Sequence, residues 1–178
     1  MTLRPLLAAA FTVLVALCGC AQPYPQLPPP PIHPHGQALW SIVHDKCVPH
    51  QLQRGDPAPC ALVSLPAGAQ GGFAVLKDLN GVAQHLLLPT DKVTGIEDPR
   101  VLAPDARNYF AEAWTARRFV EARLGGPVPR DEIGVAVNSL YGRSQDLLHL
   151  HVDCLSFTVR DQLRADAPAI GAHWSRQP

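Results

Sequence analysis

The sequence has no surplus of charge of either sign. Fifteen Lys and Arg are balanced by fifteen Asp and Glu, so the formal net charge is +0. A chain without a basic surplus cannot hold a phosphate backbone by its overall field, which disfavours a general nucleic-acid partner. Hydrophobic residues make up 47% of the 178 residues and charged residues 17%, which excludes disorder along the whole chain.

The chain also lacks a hydrophobic run long enough to span a bilayer. Residues 6–17 form an uncharged apolar run of twelve residues after Arg4, a length typical of an export signal. Leu17-Cys18-Gly19-Cys20 follows and resembles the bacterial lipobox. We therefore predict a signal peptide over residues 1–19 and acylation of Cys20, in an exported protein that is anchored to a bacterial membrane and faces the periplasm. An ordinary cleaved signal or an uncleaved anchor is the alternative.

Proline is abundant in one segment only. Seven prolines lie in the twelve positions 23–34, and proline fixes φ and removes a backbone donor. Residues 20–35 are therefore predicted to form an extended tether of about 35–40 Å, with an SH3-type ligand as the alternative. The folded, catalytic domain is then expected over residues 36–178.

Three cysteines remain in that domain, and export allows a disulfide between two of them. Cys47 and Cys60 enclose a short loop and are predicted to pair. Cys154 lies in an apolar strand and is expected to be a buried free thiol. Pairing of Cys154 with Cys47 or Cys60 is the alternative.

Hydrophobic periodicity predicts helices and hairpin-joined strands in the domain. Asn80-Gly81 is a hairpin turn signal, Asp105 is the expected N-cap of the longest helix, and Ser156 that of the last helix. The predicted helices cover 37–47, 106–124 and 158–165, and the predicted strands cover 61–65, 71–76, 82–89, 133–137 and 148–155. This order favours an α+β fold, an antiparallel sheet with helices packed on one side.

Two imidazoles stand in the last predicted strand. His149 and His151 are two residues apart, so both point to one sheet face roughly 6.5–7 Å apart, and Asp153 follows on that face. Three explanations remain open from the residues alone. The pair could belong to a solvated polar face, to a zinc site, or to a phosphoryl-transfer site in which one imidazole attacks phosphorus and the other donates to phosphate oxygens.

The surroundings of this pair resemble a known family. Asn138-Ser139, Gly142-Arg143-Ser144-Gln145 and residues 149–154 resemble the histidine-triad (HIT) superfamily of nucleotide hydrolases and transferases, and more closely its CDP-diacylglycerol pyrophosphatase branch. The likeness runs from about Leu39 to about Trp174. Further stretches that resemble this branch are Cys47-Val48-Pro49, Pro59-Cys60, 75–81, 87–90 and 95–99.

Two departures from the family pattern stand out. The first of the three family histidines falls on Leu147, while the second and third fall on His149 and His151. Loss of that imidazole is expected to loosen the site or to change the tautomer of its partner. Members of the branch also continue for several dozen residues beyond the position of Pro178, so we expect a short variant or a fragment.

The resemblance implies a HIT-like hydrolase that needs no metal or other cofactor. His149 would attack the α-phosphorus of CDP-diacylglycerol, expel phosphatidate and form a cytidylyl-histidine that water cleaves to CMP. His151, Ser144 and the backbone N–H groups around Gly142 would stabilise charge on the phosphates. The remaining candidates for substrate contact are Arg143, Asn138, Gln145, Lys77, Asp78 and Asn80, although a β-turn explains Asp78 and Asn80 equally well.

Two rival functions remain open beside this one. The enzyme could cleave another nucleoside-diphosphate conjugate or a related nucleotide-lipid. The chain could also be a degenerate HIT-like lipoprotein that binds a nucleotide or a partner without turnover, since Leu147 replaces a family histidine.

Overall fold

The computed structural model describes residues 28–29, 31–65 and 71–173. The predicted signal peptide, Cys20 and most of the proline-rich tether lie outside these described residues. Within them, no helix combines the length and the apolar character needed to cross a membrane.

Five strands form one antiparallel sheet. The strands are β1 (Leu62–Ser64), β2 (Phe73–Lys77), β3 (His85–Pro89), β4 (Ile133–Val137) and β5 (Leu150–Cys154), in the order β1-β2-β3-β5-β4. The helices are α1 (Ala38–Ile42), α2 (Val48–Arg54), α3 (Tyr109–Leu124) and α4 (Phe157–Asp166), with a π-helical turn at Val43–Cys47 between α1 and α2. Short 3-10 turns lie at Pro99–Leu102, Arg130–Glu132 and Ala167–Ala169.

The first helical segment is longer than the sequence predicts, because it continues through α2 to Arg54. Pro49 lies in the first turn of α2 and has no N–H for an i→i−4 bond. Just before it, the N–H of Val48 donates to the carbonyl of Val43, five residues back. This π-helical turn lets the helix pass the proline, and Gly55 ends it with φ of 67°.

Helix capping agrees with the sequence at one helix and not at another. The Ser156 hydroxyl accepts from the N–H of Val159 at 3.3 Å and caps α4, as predicted. The predicted cap at Asp105 is wrong, because α3 begins at Tyr109 and the Asn108 side chain accepts from the N–H of Ala111 at 3.0 Å. The N–H of the residue after Asp105, Ala106, donates instead to the carbonyl of Ala103, which closes a turn ahead of the helix.

The α+β class is confirmed, but the expectation of helices on one side only is wrong. Helix α3 covers one sheet face, and the π-helical turn with α2 covers the other. The reason lies in β2 and β3, whose successive apolar residues are buried on both faces, unlike the alternating pattern of a half-exposed sheet. The second face is packed by Ala74, Leu76, Leu86, Leu88 and Leu147 against Val43, Cys47 and Val48.

The predicted disulfide between Cys47 and Cys60 is confirmed, with a Cα–Cα distance of 5.6 Å. It ties the π-helical turn to the segment before β1. Cys154 is free among the described residues, as expected, but it is exposed rather than buried. It is the last residue of β5, where the chain leaves the sheet.

Candidate active site

A cavity of about 560 Å³ opens on the sheet face that carries both histidines. Helix α1 and the π-helical turn form one wall, and the loops after β2 and β4 form the others. The cavity brings together most of the predicted site residues, namely His149, His151, Ser144, Asn138, Gln145, Lys77, Asp78 and Asn80. Ala38, Leu39, Ile42, Lys46, Pro59, Leu76, Leu79 and Leu86 complete the lining.

His149 is buried, and a backbone group fixes its ring. Its Nδ1 lies 2.7 Å from the carbonyl oxygen of Leu147. Because a carbonyl oxygen only accepts, Nδ1 carries a proton, and the neutral tautomer compatible with this contact has its lone pair on Nε2. The carbonyl orients the ring whatever side chain stands at position 147, so the loss of the first family histidine leaves this interaction in place. The Leu147 side chain is fully buried in the apolar cluster under the N-terminal helical segment.

His151 stands next to His149, with ring centroids 5.1 Å apart and planes at 72°. Its Nδ1 lies 3.1 Å from Nε2 of Gln84, and its Nε2 lies 3.4 Å from the amide of Asn138. Burial lowers the pKa of His151, the neighbouring His149 lowers it further, and Asp78 opposes both effects. The ring is therefore neutral at neutral pH.

The loop between β4 and β5 supplies only some of the expected groups. Ser144 and Gln145 line the cavity, but Arg143 and Gly142 do not. The buried Arg143 side chain pairs with Glu97 at 2.5 Å, so the structure places its charge away from a substrate phosphate. The N–H groups of Gly142 and Arg143 both donate to the carbonyl of Ser139, at 3.0 and 3.1 Å. The expectation that these N–H groups bind a substrate phosphate is therefore wrong, because both are already bonded within the loop.

Gln145 joins this loop to the start of the domain. Its side-chain oxygen accepts from the N–H of Leu39 at 3.1 Å, and its amide nitrogen donates to the carbonyl of His35 at 3.0 Å. The N–H of Asp146 donates to the carbonyl of Gly36 at 2.7 Å. These bonds hold the start of α1, which forms one wall of the cavity, against the loop that leads into β5. Gln145 therefore shapes the cavity as well as lining it.

The loop between β2 and β3 is organised by Asp78 and Lys77. The Asp78 carboxylate accepts from the N–H of Asn80 at 3.1 Å and from the amide of Gln84. The Lys77 ammonium donates to the carbonyls of Asp78 and Gly81, at 2.6 and 2.9 Å. Seven residues separate the strands, so the predicted hairpin has a wider connection than a two-residue turn at Asn80-Gly81. The turn-forming explanation of Asp78 therefore holds, although the residue also borders the cavity.

Sequence reasoning missed two polar residues of the site, Lys46 in the cavity lining and Gln84 beside His151. Lys46 lies on the helical face of Leu39 and Ile42, at spacings of seven and four residues, and that periodicity was a usable signal. Gln84 contacts His151 only because β3 pairs with β5 so that Leu86 stands opposite His151. No sequence pattern shows this register.

The described residues contain no group of three or more His, Cys, Asp or Glu side chains arranged to hold a metal ion. The site places Nε2 of His149, the nitrogen not bonded to the Leu147 carbonyl, beside the imidazole of His151. Such a pair can combine nucleophilic attack with hydrogen-bond donation.

Comparison with known proteins identifies close relatives. The family described as CDP-diacylglycerol pyrophosphatase matches residues 34–178. A Yersinia pestis protein named CDP-diacylglycerol pyrophosphatase is 44% identical over 144 residues, which is 81% of this chain and 54% of that protein. The chain thus spans about half the length of this curated relative.

Proposed function

Because the chain belongs to the CDP-diacylglycerol pyrophosphatase family, we propose that it hydrolyses the pyrophosphate bond of CDP-diacylglycerol to CMP and phosphatidate. The observation that carries the proposal is the imidazole pair in the cavity. His149 has its Nδ1 proton committed to the Leu147 carbonyl, which leaves Nε2 as an available nucleophile.

The reaction that this pair supports has two steps. Nε2 of His149 forms a bond to the α-phosphorus while the bond from that phosphorus to the phosphatidate oxygen breaks, which gives a cytidylyl-histidine and phosphatidate. Water then attacks the same phosphorus, the phosphorus–nitrogen bond breaks, and CMP leaves. His151 and Ser144 stand at the cavity to donate hydrogen bonds to phosphate oxygens in both steps.

The test is an assay of CMP release from CDP-diacylglycerol in mixed micelles, followed by acid quenching with substrate labelled in the cytidine. We expect wild type to trap label on the protein. His149→Ala should release no CMP and trap no label, whereas His151→Ala should still trap label at a rate lower by about 10²–10³. His173→Ala removes an exposed imidazole and is the matched control. An intermediate that persists in His149→Ala would falsify the assignment.

The same assay separates the rival functions. CDP-choline and ADP-sugars test whether another nucleoside-diphosphate conjugate is the preferred substrate. A degenerate binding module would release CMP or AMP from none of these compounds.

We also propose that the protein is exported and anchored to a membrane through an acylated Cys20. The support is the sequence around Leu17 to Cys20 and the lipid nature of the proposed substrate. Labelled palmitate should enter the wild type and Cys18→Ala in a bacterial host, but not Cys20→Ala. A water-soluble mature protein that starts at another residue would contradict the proposal.

A further inference from the structure

Gln84 is the side chain that connects the loop after β2 to the second histidine. It is half-buried just before β3. Its amide nitrogen lies 3.1 Å from Nδ1 of His151 and also donates to Oδ2 of Asp78. The second oxygen of Asp78 accepts from the N–H of Asn80. The carboxylate that orients the Gln84 amide is thus itself held by the loop.

These contacts decide which nitrogen of His151 carries the proton. An ionised carboxylate only accepts, so it is the NH₂ end of Gln84 that faces Asp78. The same nitrogen has a second hydrogen to donate, and Nδ1 of His151 is its partner. Nδ1 must then be unprotonated, and the neutral ring carries its proton on Nε2.

We propose that Gln84 is a positioning residue that holds the proton of His151 on Nε2, where it can serve as a hydrogen-bond donor to the substrate phosphates. The two histidines then have opposite tautomers. His149 presents a lone pair on Nε2, fixed by the Leu147 carbonyl, and His151 presents an N–H on the corresponding atom. The catalytic consequence rests on the proposed function, but the tautomer does not.

The groups around His151 show why Gln84 is needed. Asp78 Oδ2 lies 3.8 Å from Nδ1 of His151, too far for a direct hydrogen bond but near enough to attract a proton to that nitrogen. His149, one residue before β5, opposes such a charge. Gln84 donates hydrogen bonds to the Asp78 carboxylate and to Nδ1 of His151. It therefore takes the place at Nδ1 of the proton that the carboxylate would otherwise attract there. The amide nitrogen of Asn138 lies 3.4 Å from Nε2 of His151, and two donors cannot bond to each other, so the proposal requires the Asn138 amide to turn its oxygen towards the Nε2 proton.

The test is Gln84→Glu, a change of almost equal size that replaces the donor by an acceptor. The measurement is the ¹⁵N spectrum of the imidazole groups in the full chain, with His151 assigned by His151→Ala. We expect wild-type His151 to be protonated on Nε2 only, and the variant to be protonated on Nδ1 or on both nitrogens. The kcat for CMP release should fall by about 10²–10³, with KM little changed. Gln53→Glu makes the same substitution at an exposed position of α2 and should change neither quantity.

Several results would overturn the proposal. Wild-type His151 with its proton on Nδ1 would do so without any variant, as would an unchanged ¹⁵N pattern in Gln84→Glu. Should that variant fail to fold, Gln84→Met removes the donor without adding charge and must give mixed tautomers of His151. Absence of CMP release by wild type would contradict the proposed function instead, because the spectrum still reports the tautomer.

Discussion

The substitution Leu147→His restores the histidine that the family pattern places first, and the structure predicts that it harms the protein. Leu147 has 0% exposure and packs in the apolar cluster with Val43 and Cys47, so an imidazole there would be buried among apolar groups. Loss of the leucine contributes about 1.5–3 kcal/mol. Burial of an imidazole without a partner adds roughly 1–3 kcal/mol. Together the free energy of unfolding should fall by about 2.5–6 kcal/mol, a large share of the roughly 5–15 kcal/mol typical of a domain.

The loss of stability in Leu147→His should also depend on pH. The introduced imidazole would be held neutral in the folded protein, which puts its folded pKa below the unfolded value of about 6.5. The unfolded state then binds more protons below that pH, so stability falls further as the pH drops through 6.5 and recovers above it.

Urea unfolding of Leu147→His measures this loss of stability, and Leu147→Met is the matched control. The methionine conserves volume and polarity and should cost less than about 1.5 kcal/mol. Turnover per folded molecule should not exceed that of wild type in either variant, because the carbonyl of residue 147 already orients His149. A Leu147→His protein that is as stable as wild type and turns over faster would refute this reasoning, since position 147 would then reach the cavity.

Three further predictions concern the disulfide, the buried arginine and metal dependence. The double variant Cys47→Ala, Cys60→Ala opens a link between residues 13 apart and should lower stability by roughly 3 kcal/mol in urea unfolding, while Cys154→Ser should not. Arg143→Met should lower stability by roughly 1–3 kcal/mol through loss of the pair with Glu97 and leave KM near the wild-type value, whereas a raised KM would return Arg143 to the binding site. Activity should survive EDTA, and abolition with rescue by zinc would indicate a zinc hydrolase.

Much of the local structure could be predicted from the residues themselves. The strand period of two placed His149 and His151 on one face, and the structure puts both at one cavity. The five strands and the pairing of Cys47 with Cys60 were also predictable, because each depends on neighbours that are close in sequence. The resemblance to the CDP-diacylglycerol pyrophosphatase family is confirmed by the match over residues 34–178.

The composition of the site depended instead on contacts between distant segments. Arg143 follows Gly142 in the same loop as Ser144, yet it turns to Glu97, which is 46 residues away, while Ser144 faces the cavity. No local pattern shows which of two adjacent side chains will find a buried partner. The predicted N-cap of α3 was wrong for a related reason. Asp105 and Asn108 are both residues that favour an N-cap, and the turn that precedes the helix places Asn108 at that position.

The sequence by itself therefore determined the alternation of each strand, the disulfide, and the presence of two imidazoles on one face, since these follow from backbone periods and short separations. Only the tertiary structure decided that the helical segment from α1 to α2 covers the second sheet face and forms one side of the cavity. It also decided that the register of β3 and β5 brings Gln84 to Nδ1 of His151 across 67 residues of chain. Register and the burial of charged partners are set by the packing of the whole domain, where the free energy of one contact depends on elements far along the chain.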